Sequence, residues 1–151
     1  MAGYHYFLIV HLSGFALFTG ALVSDIIIHN QLWSNRQTDA TLSKTLLSTT
    51  TKLSRLMGVS LGITLLAGIV MMSKMHLVYG PQSWIRIKIS LVVILLILRV
   101  LNSRNNKRLK EKILVNPVLP HASLKYRITG FQWLQLLLVA GIIILSVKKF
   151  N

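Results

Sequence analysis

The chain has 151 residues, of which 53% are apolar, with a mean hydropathy of +0.62 and a formal net charge of +14. It has no cysteine, which excludes disulfides, thiolate metal sites and cysteine nucleophiles. The charge alone would suit a nucleic-acid-binding protein. The basic residues flank long apolar runs, however, so we expect a membrane surface and no nucleic acid as their partner.

Four apolar runs are long enough to cross a bilayer, which takes about 18 or more residues in an α-helix. The first run lacks a basic start and a small-residue cleavage site, and it is too long for a signal peptide, so we keep it as a helix of the mature protein. The sequence predicts an all-α integral membrane protein, a single domain built as a four-transmembrane-helix bundle in the lipid bilayer. The predicted helices are about 4–29, 53–78, 84–101 and 128–147.

The connections between the helices carry weaker signals. Residues 41–51 are rich in Ser, Thr and Lys, and we expect a short amphipathic piece there that runs into helix 2. The Tyr-Gly-Pro sequence at 79–81 predicts a tight turn. The run RVLNSRNNKRLKEK at 99–112 predicts an extension of helix 3 near anionic headgroups.

The distribution of basic residues predicts the orientation in the membrane. Twelve of the 17 Lys and Arg residues lie in 36–55 and 99–127, and five lie in 74–88 and at the C-terminus. Because cytoplasmic loops carry the excess of basic residues, we expect both termini to be periplasmic in a bacterial inner membrane.

Helix 1 carries an unusual acidic residue. The chain has only three, Asp25, Asp39 and Glu111, and Asp25 lies within an apolar run. His29 follows it at i+4, so the two side chains can touch. A charge that faces lipid costs at least ~2.5–3.5 kcal/mol, so this pair is expected to face the bundle interior. The pair could capture a basic group such as Arg99, relay protons, bind a metal or contact a cofactor.

His11 lies on about the same face of helix 1, near its start, with Gly14 close by. One interpretation is a hydrogen bond to another helix, for instance to Gln132 or Gln135 of helix 4. The other is an axial ligand to haem, facing a cavity beside the glycine. Since helix 4 runs towards the outside, the two glutamines are expected to lie in the inner half, away from His11, which favours the cavity.

Two further segments near the outside carry side chains that could bind a metal or a cofactor. The run MMSKMH offers Met71, Met72, Met75 and His76, a thioether and imidazole set that suits Cu(I), although methionine is also ordinary packing in membrane helices. The run WIRIK begins helix 3, and its Trp84, Arg86 and Lys88 are either interfacial anchors or a clamp for carboxylates such as haem propionates.

These residues together resemble the four-helix membrane proteins of the HemJ-type protoporphyrinogen oxidase and CopD-like group. The resemblance rests on LIVHLSGFALFTGALV, LSRLMGVSLGITLLAGIVM, WIRIKISLVVILLILR and LLLVAGIIILSVKKF. By this resemblance, His11 matches the family's helix-1 histidine, and Trp84 and Lys88 match its anchor residues at the start of helix 3. It implies a membrane protein that binds haem b and oxidises protoporphyrinogen, whereas CopD-like relatives are linked to copper uptake.

The chain departs from the HemJ pattern at three places. Arg86 and Arg99 stand where that family has histidines in helix 3, and Ser24-Asp25 replaces a Pro-Arg pair in helix 1. The second and third changes together suggest a charge exchange, from which we expect a buried Asp25–Arg99 ion pair.

Three hypotheses on function follow from the sequence. The first is a haem b- or porphyrin-binding redox protein with His11 as ligand and Arg86 and Lys88 on the propionates. The second is a non-catalytic accessory subunit with a membrane-complex partner or a second copy. The third is a copper-handling protein that uses Met71, Met72, Met75 and His76.

Overall fold

The computed structural model describes residues 2–35, 40–79, 83–115 and 122–148, and all of them are helical. The helices are α1 (Ala2–Asn35), α2 (Ala40–Tyr79), α3 (Ser83–Val115) and α4 (Ala122–Lys148). Side chains are described within 4–34, 41–73, 85–113 and 123–147. Three helices are long and apolar enough to cross a membrane, over Tyr4–Ser34, Thr41–Ser73 and Ser123–Val147. α3 is less clearly a span, since basic residues interrupt its apolar run.

The helices are longer than the predicted ranges, mainly where the basic residues lie. Residues 41–51 form the first turns of a continuous α2, because nothing in this stretch breaks a helix and its hydroxyls bond to the preceding turn. Examples are Thr45 and Thr49, which donate to the carbonyls of Thr41 and Thr45. The predicted extension of α3 is helical to Val115. The turn was predicted at 79–81; Tyr79 is the last residue of α2, and residues 80 and 81 lie outside the described residues, as do residues 116–121.

The four antiparallel helices give the bundle two ends. We call the end where α1 begins and α4 finishes the terminal end, and the opposite one the basic end. At 1.5 Å per residue, the 40 residues of α2 extend for about 60 Å, against about 30 Å of bilayer hydrocarbon. The helices are therefore longer than the hydrocarbon layer is thick. Most of the extra length lies at the basic end, where most of the exposed Lys and Arg side chains are found.

The bundle is built from two helical hairpins. α1 packs chiefly against α2 and α3 against α4, whereas α1–α4 and α2–α3 contacts are sparser. The α1–α2 contact is closest at Gly14, where an added Cβ would lie 2.5 Å from Thr64 Oγ1 and 3.1 Å from the Ser60 carbonyl oxygen. Small residues let membrane helices approach in this way, as lipid provides no hydrophobic drive for helix association.

Two apolar clusters fill the interior. The first lies toward the terminal end and comprises Phe18, Ala21, Leu22, Ile26, Met57, Leu61, Leu95 and Val139. The second lies at the basic end and comprises Leu32, Leu47, Leu109, Ile113, Leu124 and Ile128. The second cluster uses side chains of the α3 extension, so that extension packs into the bundle and does not diverge from it.

Candidate functional site

His11 lies in the contact between α1 and α2. Its half-buried ring has Nδ1 2.7 Å from the Thr64 carbonyl oxygen. A carbonyl only accepts, so Nδ1 carries the proton and donates it. Nε2 is then left with its lone pair, the tautomer that a metal-binding histidine has when its other nitrogen is held by a carbonyl. The ring rests on Gly68, where an added Cβ would lie 3.2 Å from His11 Cε1.

The surroundings of His11 differ from both sequence interpretations in part. Gly14 does not leave a gap beside it, because Ser60 and Thr64 of α2 fill the space over this glycine. Nor does His11 bond to a glutamine of helix 4. Gln132 bonds to Asp25 instead, in the half of the bundle away from His11, as the direction of helix 4 predicts.

The WIRIK segment brings one cation near His11. Lys88 is half-buried and close enough for its charge to act on the His11 imidazole. Arg86 is exposed, and the side chain of Trp84 lies outside the described residues.

The methionine-rich segment is described only at its start. Met71 and Met72 are half-buried on α2, whereas the side chains of Met75 and His76 lie outside the described residues. Within the described part of the chain, no three His, Cys, Asp or Glu residues are grouped to hold a metal ion.

A second group of polar side chains lies between the two apolar clusters. Asp25 and His29 of α1 are 0% and 1% exposed. His29 Nδ1 lies 2.9 Å from the Asp25 carbonyl oxygen and 3.5 Å from Asp25 Oδ1. Gln132 Nε2 of α4 donates to Asp25 Oδ2 at 2.9 Å and lies 3.1 Å from His29 Nδ1. One glutamine thus ties α4 to both ionisable groups of α1.

Arg99 has a different partner from the one expected. Its Nη2 donates to the Ser54 carbonyl oxygen at 2.7 Å and also to the Ser54 hydroxyl, both on α2. The expected direct Asp25–Arg99 ion pair is therefore wrong, although the two charges still attract each other at longer range. The reason is that α3 packs beside α2 at this level, so the guanidinium meets a helix carbonyl first, while Gln132 reaches the carboxylate.

Three further amide side chains belong to this group. The sequence interpretation did not assign them to this place. Asn102 and Gln135 are both 0% exposed, and Asn106 is half-buried with both amide atoms out of contact with solvent. On α3 the spacing of Arg99, Asn102 and Asn106, at i, i+3 and i+7, is the signal that could have found them, since it places all three on one helix face. We call the whole set the polar layer: Asp25, His29, Ser54, Arg99, Asn102, Asn106, Gln132 and Gln135.

The polar layer joins the two hairpins. The Asp25–Gln132 bond links α1 to α4, and the Arg99–Ser54 bonds link α2 to α3. These are the two helix pairs with the sparser contacts. Directed hydrogen bonds thus supplement apolar packing where that packing is weakest.

Comparisons of the chain with protein-family models, with curated proteins and with solved structures each find no match. The class that the fold defines is an all-α protein with three described helices long and apolar enough to cross a membrane.

Proposed function

We propose that this protein is a four-span membrane protein that binds haem b or a related porphyrin through His11 and takes part in redox chemistry. The observation that carries the proposal is the hydrogen bond from His11 Nδ1 to the Thr64 carbonyl oxygen. It holds the ring with the Nε2 lone pair available, which is what an axial ligand requires. The HemJ-like pattern of helix 1 supports the same role.

The side-chain pattern of α3 supports a fourth span. Arg99, the basic residue that interrupts its apolar run, is only 5% exposed and turns into the bundle. The exposed large apolar side chains that remain would face lipid, and they are Ile87, Ile89, Val93, Ile94, Ile97, Val100 and Leu101. A helix with this surface is compatible with hydrocarbon once its charge is inside.

The donor set near the terminal end fits a porphyrin in part. His11 supplies the nitrogen, and Lys88 supplies a nearby half-buried cation for a propionate. Arg86, exposed two residues earlier, is suited to the second propionate at the membrane surface. The close contact at Gly14 excludes the α1–α2 seam as the porphyrin site, so the macrocycle would lie against the sparsely packed side between the hairpins.

When bound, haem supplies one-electron chemistry at its iron. The chain's own contribution is to hold the imidazole in one tautomer, to offer cations to the propionates, and to surround the site with apolar side chains that limit water.

The proposed setting is a bacterial inner membrane with both termini in the periplasm. The exposed basic residues at the basic end, among them Arg55, Arg104, Lys107 and Arg108, support a cytoplasmic location for that end. His11 would then lie in the periplasmic half of the membrane.

The test is the visible spectrum of protein purified in mild detergent, before and after addition of haemin. We expect a Soret band that His11→Ala removes. His5→Ala is the matched control, because His5 is an exposed histidine of the same helix and the same end. Lys88→Gln should weaken haem binding without abolishing the band.

The other outcomes of this test would support one of the two alternative functions. A colourless protein that binds no haemin but takes up Cu(I) through Met72, Met75 and His76 would support copper handling. A protein that binds neither and co-purifies with a membrane partner or a second copy would support an accessory subunit, in which buried polar residues only hold helices together.

A further inference from the structure

The polar layer has more hydrogen-bonding atoms than the described part of the chain satisfies. Nine of its side-chain atoms are buried and have no hydrogen-bond partner among the described residues. They are Asp25 Oδ1, His29 Nε2, Arg99 Nη1 and both amide atoms of Asn102, Asn106 and Gln135. Buried polar atoms are nearly always paired, and in hydrocarbon there is no bulk water to pair them. So many in one layer indicate a ligand.

The balance of these atoms identifies the kind of ligand. The three amides each offer one donor and one acceptor, and the free atoms of Asp25 and Arg99 add one acceptor and one donor. The charges of Asp25 and Arg99 cancel, so neither an anion nor a cation is favoured. The ligand must be neutral and must both donate and accept, and water is the smallest molecule that does so.

The contacts of Asp25, His29 and Gln132 allow the proton of the neutral His29 ring to lie on either ring nitrogen. His29 Nδ1 lies 2.9 Å from the Asp25 carbonyl oxygen, to which it donates when protonated, and 3.1 Å from Gln132 Nε2, from which it accepts when it is not. A neutral ring without a proton on Nδ1 carries that proton on Nε2, a buried atom that has no hydrogen-bond partner among the described residues. The two arrangements differ only in which ring nitrogen carries the proton.

From these contacts we propose that the polar layer is a hydrated proton-binding site, in which internal water connects Asp25 and His29 to the amides of Asn102, Asn106 and Gln135. With Nδ1 protonated and donating to the Asp25 carbonyl oxygen, the imidazole takes up a second proton at Nε2 from a hydronium ion at the basic end, which leaves a water molecule, and it releases the proton by the reverse step. This role does not depend on haem.

The groups that face the His29–Asp25 pair are few. α1 provides the pair itself, α3 provides the Arg99 charge and two asparagine amides, α2 provides the Ser54 hydroxyl, and α4 provides two glutamine amides. Arg99 keeps its charge at every accessible pH, so the proton is exchanged at the His29 imidazole. Asn106 is one turn closer to the basic end than Asn102, which extends the row of amides toward the cytoplasmic water.

The experiment is water-edited solid-state NMR on the full chain in lipid bilayers, with labelled histidine, asparagine, glutamine and phenylalanine. We expect magnetisation from water to reach the side chains of His29, Asn102 and Gln135 early, as for exposed residues. Phe18, which is fully buried in the first apolar cluster, is the dry reference. Build-up as slow as that of Phe18 would overturn the proposal.

A second measurement tests the proton. The His29 ring signal, assigned with His29→Gln, should titrate with pH, and Asn102→Leu together with Gln135→Leu should shift its midpoint by about one pH unit, a tenfold change in proton affinity. Ser146→Ala, a hydroxyl change outside the layer that bonds only to the preceding turn, should leave the midpoint unchanged. A His29 signal that does not titrate, or one indifferent to the double change, would show a dry structural layer.

Discussion

Gly14 lies where α1 approaches α2 most closely, and one added methyl group there tests the packing of the first hairpin. In Gly14→Ala the new Cβ would lie 2.5 Å from Thr64 Oγ1, 3.1 Å from the Ser60 carbonyl oxygen and 3.3 Å from the Thr64 nitrogen. Two of these three atoms are backbone and belong to a helix, so they cannot turn aside. Either the helices separate by several tenths of an ångström, or Thr64 rotates and loses its 2.8 Å hydrogen bond to Ser60.

The magnitude follows from these alternatives. Overpacking of this kind costs about 1–3 kcal/mol, and a lost hydrogen bond costs about 1 kcal/mol. Alanine in a helix regains about 0.5–1 kcal/mol relative to glycine. After this gain is subtracted, we expect Gly14→Ala to lower the free energy of unfolding by up to about 2.5 kcal/mol overall.

The assay is unfolding in mixed detergent micelles, followed by circular dichroism. Gly20→Ala is the matched control, because Gly20 lies in the same helix and has nothing within 4 Å of the added Cβ. It should be neutral or slightly stabilising. Thr64→Ala should recover part of the Gly14→Ala loss, since it removes the nearest atom while the carbonyl that binds His11 stays in place. Equal effects of the two glycine changes, or simple additivity with Thr64→Ala, would refute the reasoning.

The remaining predictions concern the polar layer and the orientation. Gln132→Leu removes the donor to a buried carboxylate and should destabilise the protein by about 3 kcal/mol in the same unfolding assay, with an effect below 1 kcal/mol counting against the Asp25 contact. Ser54→Ala and Arg99→Gln should be non-additive in a double-mutant cycle, and additivity would show that the guanidinium does not depend on Ser54. A reporter fused to the C-terminus should behave as periplasmic, and cytoplasmic activity would reverse the proposed topology.

Hydropathy predicted the four helices because each has a long apolar stretch, but it predicted helices that are too short. The signal for a span stops where charged residues begin, whereas the helix continues, as in α3, where Leu109 and Ile113 are buried beyond the basic residues. Periodicity within that polar stretch, not hydropathy, carries the information.

The ionisable residues of the site were predicted from the sequence, but their partners and the buried asparagines of α3 were not. The i, i+4 spacing of Asp25 and His29 predicts their contact, because both lie on one helix. The partner of Arg99 depends on which helix packs beside α3 at that level, which one sequence does not specify. Opposite charges suggested Asp25, whereas the guanidinium bonds to Ser54 and a neutral glutamine bonds to the carboxylate.

The hairpin construction has a consequence for how the protein is assembled in the cell. Each hairpin brings its own close helix contact, so α1–α2 can enter the bilayer and pair before α3–α4 has been synthesised. Until then Asp25 has no Gln132 to bond, and its carboxyl group has to be satisfied by water near the membrane surface. Asp25 therefore becomes buried only when the second hairpin packs against the first. Two separately expressed halves, divided near residue 81, should recombine into a folded protein, and Gln132→Leu should impair that recombination more than it impairs insertion of either half.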